Sequence, residues 1–357
     1  MTLGTWIDQY AERDWQTSSS GTVRYALIGL GWWTTDVALP AIASSDLGET
    51  TVVVSSTKDK AERVANENDI DHGLSYEEFH EGMKTDAYDA VYVGTPNALH
   101  LEYVETAAEL DKAVLCEKPM EATVERAEQM VSVSDEYDIP LMIAYRMQTD
   151  PAVRRARDLV ESGFIGEPVQ VYGNNSQPLL EMIPDPDQWR LNPDLTGYGT
   201  SVMDLGIYPL NTIRFILDRD PVSVTSRMVS SHEAFADVPD ERSSFLIELE
   251  GDVQMVGTAS QNAHKDTQLT ITGTDGQIDL RPAFHGECEL HLSNSDLDVE
   301  ISNPLDATGE MREEFDYFAD RILTDSAIYA DGRHALLDMR VIEAIHQASE
   351  TEGTVEL

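Results

Sequence analysis

Two glycines one residue apart follow the first apolar run of the chain. In the stretch YALIGLGWWTTDVALPAI, Gly29 and Gly31 separate a strand-like segment from a helical one. At such a turn the first glycine permits the bend, and the second lets a pyrophosphate approach the backbone at a helix N-terminus. The third position of this fingerprint is ordinarily Gly or Ala, but here it is Thr34, after the bulky Trp32 and Trp33. The spacing predicts a dinucleotide site, and a turn without a ligand stays open as the alternative.

The end of the second apolar run bears on which dinucleotide binds. An acidic residue at this point, about 20 residues after the glycines, binds the ribose 2′-hydroxyl of NAD. This chain has no acid there, and the residues that follow TTVVV carry hydroxyl or ammonium groups: Ser55, Ser56, Thr57, Lys58 and Lys60. Such groups suit a 2′-phosphate, which a carboxylate would repel. The sequence therefore favours NADP, and the alternative is a solvated loop that carries two lysines.

These residues must be positioned by the elements of a first, α/β domain. Five apolar strands alternate with helical segments: VRYALIGL, TTVVVSS, YDAVYVGTP, KAVLCEKP and IPLMIAYRM. Apolar strands that are buried on both faces and separated by helices are typical of a parallel, doubly wound sheet. Residues 1–21 precede this domain as an acidic arm, either a packed helix with a linker or a disordered segment. The predicted first domain covers residues 22–150.

After about residue 150 the pattern changes to longer strands in which apolar and polar residues alternate. The helical segment PAVRRARDLVESG has Pro151 in its first turn, where proline is tolerated. The strands that follow indicate a mostly antiparallel sheet with one covered face, with a hairpin turn at TDG. Two helices close the predicted second domain, residues 151–357, and these helices are able to pack back on the first domain.

The charge of the chain excludes several classes of partner. Its 66 acidic residues against 24 basic ones give a formal net charge of -42, and only six of the basic residues are lysines. Such a field repels nucleic acid and anionic membranes, and concentrated salt would screen the self-repulsion that it causes. We therefore expect a protein of a salt-rich cytoplasm, with partners other than nucleic acid or membrane.

Other classes of protein lack their sequence signals. Cys116 and Cys288 do not make a disulfide framework, and the N-terminus lacks the basic and apolar segments of a secretory signal. No apolar run reaches the ~18 residues that a membrane helix needs. The histidines show no ligand spacing for a metal, and a GxSxG elbow is absent.

Several blocks further along the chain carry a family resemblance. They occur in the order GTPNALH, CEKP, YRMQTDPAVRRARDLVESGFIGEP, QWRLNPDLTGYGTSVMDLGIYPLN and VIEAIHQASETEGTVEL. These blocks resemble the signatures of the glucose–fructose oxidoreductase, inositol dehydrogenase and rhizopine-catabolism (Gfo/Idh/MocA) family, from Val23 onward. The resemblance implies an α/β fold class, with an N-terminal Rossmann doubly wound parallel sheet and a C-terminal α/β domain with a large open, mostly antiparallel sheet.

The resemblance also implies an active site. The lysine of the family's EKP motif corresponds to Lys118, and its active-site Asp and Tyr correspond to Asp204 and Tyr208. A tyrosine with a pKa near ~10 is a poor base unless a cation stabilises its phenolate, and Lys118 could supply that charge. Asp204 could orient a sugar hydroxyl or Lys118. Two alternatives remain open: Asp204 as a helix cap, and Tyr208 as a core aromatic residue.

The remaining candidate residues follow from the same blocks and from the glycine turn. The expected cofactor contacts are Gly29, Gly31, Trp32, Trp33, Ser55, Ser56, Thr57, Lys58, Lys60, Thr95, Pro96, Asn97, Glu117 and Lys118. The expected substrate contacts are Tyr145, Arg146, Trp189, Arg190, Asp204 and Tyr208. Trp189 is as well explained by simple packing.

The resemblance implies NADP-dependent oxidation of an aldose at C1 to the lactone, with D-xylose as the favoured sugar. One alternative is a dehydrogenase of the same family that acts on inositol, a dihydrodiol or another sugar. Another is a dinucleotide-binding regulatory protein without catalysis, although the joint presence of Lys118, Asp204 and Tyr208 argues against it. By analogy with the family we expect a homo-oligomer, a dimer or tetramer, and no metal.

Overall fold

A computed structural model describes residues 10, 12–18, 20–286, 288–303 and 307–357 of the chain. Within these residues the chain forms two compact units. The nucleotide unit comprises Asp14–Arg146 and Ala307–Leu337, and the sheet unit comprises the described parts of Met1–Arg13, Met147–Asp306 and Asp338–Leu357. The sequence predicts three parts: an arm (residues 1–21), a first domain (22–150) and a second domain (151–357). This division stays a prediction.

The secondary structure alternates between strands and helices up to about residue 160 and is rich in strands after it. The strands are β1 (Val23–Ile28), β2 (Gly48–Ser55), β3 (His72–Ser75), β4 (Ala90–Val93), β5 (Ala113–Glu117), β6 (Leu141–Ala144), β7 (Pro168–Pro178), β8 (Pro221–Val229), β9 (Arg242–Leu249), β10 (Val253–Ser260), β11 (Asn262–Gly273), β12 (Gly276–Leu280), β13 (Cys288–Asn294), β14 (Asp298–Asn303) and β15 (Thr354–Glu356). The helices are α1 (Leu39–Ala43), α2 (Lys58–Glu67), α3 (Tyr76–His80), α4 (His100–Glu109), α5 (Val124–Tyr137), α6 (Pro151–Glu161), α7 (Leu179–Met182), α8 (Pro193–Thr196), α9 (Ile207–Leu217), α10 (Ala307–Thr324) and α11 (Gly332–Thr351).

The nucleotide unit contains a six-stranded parallel sheet in the order β3-β2-β1-β4-β5-β6. This order confirms the predicted doubly wound sheet, in which β1 lies at the centre and its carboxyl end faces the ligand edge. The sequence predicted five strands and missed β3. The segment HGLS has four residues, of which only Leu74 is buried, so it offers no apolar run to recognise.

Local sequence signals start several helices in both units. Thr57 and Thr123 accept hydrogen bonds from the first turns of α2 and α5, and Ser75 forms a capping box with Glu78 at α3. Asp150 caps α6 by accepting from the N–H groups of Ala152 and Val153, with Pro151 in the first turn as predicted. These caps satisfy backbone donors that have no partner within the helix.

The sheet unit contains nine strands in the order β14-β13-β12-β11-β7-β10-β9-β8-β15. Every neighbouring pair is antiparallel except β7 and β10, which confirms a mostly antiparallel sheet. The predicted TDG hairpin joins β11 to β12. Along β9 the residues alternate between buried and exposed, so one face of this strand packs inward and the other faces outward.

The described part of the N-terminal arm is held by side chains in each unit. In the sheet unit, Arg155 donates to the carbonyl oxygens of Tyr10 and Glu12 at 3.2 and 2.8 Å. In the nucleotide unit, Asp320 accepts from the backbone N–H groups of Thr17 and Ser18 at 3.0 and 2.6 Å. These described residues of the arm therefore contact folded elements, while the choice between a packed helix with a linker and a disordered segment stays a prediction for the arm as a whole.

The structure bears on two further expectations, one about the cysteines and one about membrane-spanning helices. Cys116 and Cys288 are both buried, and neither forms a disulfide. Among the described residues, no helix combines the length and the apolar composition that crossing a bilayer requires.

Candidate active site

The glycine turn after β1 is determined by close backbone packing. Gly29 has a φ of +89°, and a Cβ added to it would lie 2.8 Å from the carbonyl oxygen of Gly94. Only glycine fits this position. Gly31 differs, because a Cβ at Gly31 would meet no atom within 4 Å. The backbone at Gly31 therefore borders open space, as the approach of a pyrophosphate requires.

The unusual threonine of the fingerprint is accommodated by a glycine on the next strand of the sheet. Thr34 is buried and begins a π-helical turn, Thr34–Ala38, that continues into α1. A Cβ added to Gly94, at the end of β4, would lie 2.7 Å from the Thr34 Oγ1 atom. The close packing that a third glycine ordinarily provides on the helix is thus supplied here by the strand side.

The loop after β4 holds the predicted residues Thr95, Pro96 and Asn97. The Thr95 hydroxyl is buried and has no hydrogen-bond partner within the described chain. A buried hydroxyl in this state fits a ligand with oxygen acceptors. The sequence reasoning did not single out His100, whose ring nitrogens lie 2.9 Å from the Thr95 carbonyl oxygen and 3.1 Å from that of Met120.

Glu117 joins three parts of the nucleotide unit. Its carboxylate accepts hydrogen bonds from Trp33 Nε1 at 3.1 Å, from the Tyr92 hydroxyl at 2.7 Å and from the Lys118 backbone N–H at 3.2 Å. Burial raises the pKa of Tyr92 well above its ordinary value, and the neighbouring Glu117 carboxylate adds to the effect, so the phenol stays protonated and donates. Glu117 therefore fixes the Trp33 ring and the backbone of Lys118.

Arg146 has two partners inside the nucleotide unit. It is 4% exposed, its Nε donates to Glu310 at 2.7 Å, and its guanidinium lies 5.1 Å from the Trp33 ring centroid. Burial raises the pKa of the nearby Glu314 well above its usual range, with the Glu117 carboxylate as the next cause. Tyr145 is also buried and packs edge-on against His334. Substrate contacts for Tyr145 and Arg146 stay predictions.

The hydroxyl and ammonium groups after β2 are not equivalent. Lys58 Nζ binds both carboxylate oxygens of Glu78, at 2.7 and 3.0 Å. This pairing holds the pKa of Glu78 below its usual range. Thr57 caps α2, Ser55 is buried, and Ser56 is exposed. Lys60 is partly exposed and has no ion pair within the described chain.

In the sheet unit, the turn Val202–Gly206 carries Asp204, and α9 begins directly after it with Ile207 and Tyr208. The Asp204 carboxylate accepts from Arg190 Nε at 3.1 Å and from Gln261 Nε2 at 2.9 Å. The Arg190 guanidinium in turn lies 4.5 Å from the Trp189 ring centroid. The structure thus brings Trp189, Arg190 and Asp204 together.

A buried carboxylate holds the N-terminal end of this turn. Asp240 is fully buried and accepts from the N–H groups of Thr200 at 2.6 Å and Val202 at 2.8 Å. Burial raises the pKa of Asp240 to about 6, although these N–H donors act in the opposite direction. His346 Nε2 lies 4.0 Å from Asp240, and burial lowers the pKa of His346 to about 4.

Tyr208 is buried and packs against two aromatic side chains of the segment after β12. Its ring centroid lies 5.7 Å from that of Phe284 and 4.6 Å from that of His285. The sequence reasoning missed Gln261, Asp240 and His285. Each lies more than 30 positions along the chain from the turn or the tyrosine that it contacts, and no local motif marks it. The described residues contain no cluster of side chains able to hold a metal ion.

Two family profiles match consecutive parts of the chain. The profile described as oxidoreductase family, NAD-binding Rossmann fold matches residues 23–145. The profile described as GFO/IDH/MocA C-terminal domain matches residues 153–279. The two matches together cover most of the chain and follow the order of the two predicted domains.

Individual proteins are similar over nearly the whole chain. The D-xylose 1-dehydrogenase [NADP(+)] of Haloarcula marismortui is 56% identical over 98% of this chain and 97% of that protein. The D-xylose 1-dehydrogenase (NADP(+)) 2 of Haloferax volcanii is 29% identical over 89% of this chain and 95% of that protein. The crystal structure of aldose-aldose oxidoreductase from Caulobacter crescentus, complexed with glycerol, superposes with a TM-score of 0.87 at 28% identity, covering 94% of this chain and all of that one.

Proposed function

Because the chain belongs to the Gfo/Idh/MocA family of oxidoreductases, we propose that it oxidises an aldose, with D-xylose favoured, at C1 to the lactone and uses NADP as the hydride acceptor. The observation that carries this proposal is the 56% identity, over 98% of the chain, to a protein named D-xylose 1-dehydrogenase [NADP(+)]. The geometry of the two units supports it independently.

The nucleotide unit fits the coenzyme. Open space borders Gly31, the turn at Gly29 admits only glycine, and the buried Thr95 hydroxyl lacks a protein partner in the described residues. We assign Gly29, Gly31, Thr95 and Asn97 to the binding of the dinucleotide. When bound, NADP supplies the nicotinamide carbon that takes up the hydride.

The 2′-phosphate of NADP needs positive charge and hydroxyl donors beyond β2. Ser56 and Lys60 are accessible there, whereas Lys58 must leave Glu78 before it can bind a phosphate. We therefore assign Lys60 and Ser56 the larger part in recognising NADP, and Lys58 the smaller part. Lysine recognises phosphate as a point charge, without the geometric requirements of arginine.

The catalytic roles fall to Tyr208, Lys118 and Asp204. In the proposed step, the C1 hydroxyl gives its proton to Tyr208, C1 loses a hydride with both electrons of its C–H bond, and a C1=O bond forms. Lys118, directly after β5, is the assigned source of the positive charge that this proton transfer needs. Asp204, whose orientation Arg190 and Gln261 fix, accepts from a sugar hydroxyl.

A steady-state absorbance assay at 340 nm tests the proposal. The purified chain, in molar salt, is given NADP or NAD together with D-xylose, other aldoses, inositol or a dihydrodiol. We expect turnover with D-xylose and NADP. Lys118→Ala should lower kcat by about 10²- to 10⁴-fold, the range for a group that assists proton transfer.

The matched control is Lys112→Ala, because Lys112 belongs to the same unit and its ammonium contacts the Tyr88 ring. This variant should keep near-normal turnover. Turnover by Lys118→Ala at the rate of wild type would refute the assigned role. Binding of NADP without turnover of any substrate would instead support the regulatory alternative.

We also infer that a second copy of the chain covers the outer face of the nine-stranded sheet. Tyr172, Val256 and Leu246 lie side by side on β7, β10 and β9 and are each more than 40% exposed. An apolar row is unusual on the surface of a chain with a net charge of -42.

Light scattering should give a dimer or tetramer, and Leu246→Glu with Val256→Glu should yield monomers. A monomeric wild-type chain would contradict the inference.

The same net charge of -42 supports a salt-rich cytoplasm as the setting of the protein. Like charges on a compact chain repel one another, and salt at molar concentration shortens the range of that repulsion to about 3 Å. Thermal unfolding should therefore occur at a lower temperature in dilute buffer than in molar KCl, and an unchanged Tm would contradict this setting.

A further inference from the structure

The segment that follows β12 places a histidine beside Tyr208. His285 is partly exposed, and its ring centroid lies 4.6 Å from that of Tyr208 at an interplanar angle of 63°. Its φ of +68° lies in the left-handed region, where a side chain other than glycine is strained. Most of the other such residues in the described chain are aspartates, which tolerate this conformation better. Strained residues of this kind cluster at functional sites.

A buried amide fixes the orientation of the His285 ring. Asn175 is fully buried, and its Nδ2 group lies 3.2 Å from the carbonyl oxygen of Leu205 and 3.1 Å from His285 Nε2. The group that faces the Leu205 carbonyl must be the NH₂, since an amide oxygen there would face another acceptor. The carbonyl therefore settles the orientation of the Asn175 amide.

The same amide selects the tautomer of His285. An NH₂ group has two hydrogens, so Asn175 can donate one to Leu205 and one to His285. His285 Nε2 must then accept, which means that Nε2 carries no hydrogen. Protonation of Nε2 would place two donors face to face. The ring is consequently the neutral tautomer with its hydrogen on Nδ1.

We propose that His285 is a substrate-positioning residue whose Nδ1–H donates a hydrogen bond to an oxygen of the bound sugar beside Tyr208. The inference rests on the proposed function, because it requires Tyr208 to face a polyhydroxylated substrate. A neutral donor suits an uncharged sugar oxygen. The buried Asn175 keeps the ring in the donating tautomer, and Phe284 packs against the same tyrosine.

Three substitutions separate a hydrogen-bonding role from simple packing against Tyr208. His285→Phe keeps a ring but removes both nitrogens. His285→Asn keeps an N–H donor one bond beyond Cγ, as Nδ1 is, whereas His285→Gln places its donor one bond further out, closer to the position of Nε2. We expect His285→Phe to raise the KM for the sugar about tenfold, the effect of losing one hydrogen bond, with the KM for NADP and the Tm unchanged. His285→Asn should restore most of the loss, and His285→Gln should not.

Nitrogen-15 spectra of the wild-type protein test the tautomer directly, with the His285→Asn spectrum assigning the signal. An Nδ1–H pattern at neutral pH is expected, and an Nε2–H or imidazolium pattern would overturn the inference. So would a sugar KM of His285→Phe equal to that of wild type, or equal values for the Phe and Asn variants. If wild type is active, these results refute only the role of His285. If wild type oxidises no sugar at all, the proposed function fails and this inference fails with it.

Discussion

The glycine turn after β1 and the turn that carries Asp204 are both short, but they are held in place in different ways. Backbone atoms determine the first, since Gly29 packs against the Gly94 carbonyl and Gly94 leaves room for Thr34. Side chains determine the second. The carboxylate of Asp240 binds its N–H groups, and Arg190 and Gln261 bind Asp204.

Because the two turns are held differently, they should respond to different kinds of substitution. A site shaped by the backbone responds mainly to changes of volume, because a side chain either fits or collides. A turn held by buried polar groups responds mainly to changes of charge and hydrogen bonding, because each unpaired group is costly. We therefore expect steric substitutions to act strongly at the glycine turn and protonation to act strongly at the Asp204 turn.

Substitutions at the two glycines of the first turn should impair different properties, coenzyme binding at one and stability at the other. These are the largest effects that we expect. Gly31→Val places a side chain in the space that we assign to the coenzyme. A Cβ at this position has no protein atom within 4 Å. We expect the Tm of this variant to stay near that of wild type, while the KM for NADP rises by about 10²-fold or more. Differential scanning fluorimetry and the 340 nm assay measure the two quantities.

Gly29→Ala is the matched variant. Its Cβ would lie 2.8 Å from a backbone oxygen, at a φ of +89°, so we expect a clear loss of stability before any specific loss of coenzyme binding. If both variants unfold alike, or if Gly31→Val binds NADP normally, the space at Gly31 is not a coenzyme site.

The same contrast explains how much of the fold could be predicted from the sequence. In the nucleotide unit, local signals gave most of the sheet, because the apolar runs predicted five of its six strands. The edge strand β3 was missed because only one of its four residues is buried. In the sheet unit a proline marked the start of α6, and the alternating runs indicated a mostly antiparallel sheet. The strands β14 and β15 were not recognised, and the order of nine strands depends on long-range pairing that periodicity does not encode.

The candidate site follows the same rule. Gly29 and Gly31 could be identified because the glycine fingerprint is a local sequence motif. The resemblance provided Lys118, Asp204 and Tyr208 as predictions. The supporting residues Asp240, Gln261 and His285 come from distant strands and loops, and no spacing relates them to the turn. Lys58 was predicted to bind a phosphate, but its pairing with Glu78 depends on a residue 20 positions away.

The Asp240 and His346 pair should show the charge sensitivity of the second turn. Asp240 has a pKa of about 6 in place of 3.8, so the folded state holds an extra proton and the free energy of unfolding falls as pH rises from 3.8 to 6. His346 has a pKa of about 4 in place of 6.5, so its contribution is lost as pH falls from 6.5 to 4. The two contributions oppose each other in this window, and each is worth up to about 3 kcal/mol.

A variant that removes one of the two titrating groups should show the contribution of the other group to the pH dependence of stability. Relative to wild type, His346→Gln should lose stability with rising pH between 4 and 6, and Asp240→Asn should gain it. Urea unfolding at fixed molar salt measures both slopes, and the use of differences cancels the pH dependence of the other acidic residues. Parallel pH profiles for wild type and both variants would show that the second turn is not sensitive to charge.

The smallest effects are expected at the two lysines after β2. Substitutions there change the surface charge of the nucleotide site and leave the shape of the glycine turn as it is. Lys60→Ala should raise the KM for NADP about fivefold and leave the KM for NAD unchanged, since a partly exposed lysine adds a modest, salt-screened attraction to a phosphate. Lys58→Ala should raise it less than threefold, because Glu78 already binds that ammonium. Glu78→Gln is the matched control: by releasing Lys58 it should lower the KM for NADP, most clearly at low salt. If Lys58→Ala has the larger effect, Lys58 leaves Glu78 to bind the coenzyme, and the assignment of the two lysines is reversed.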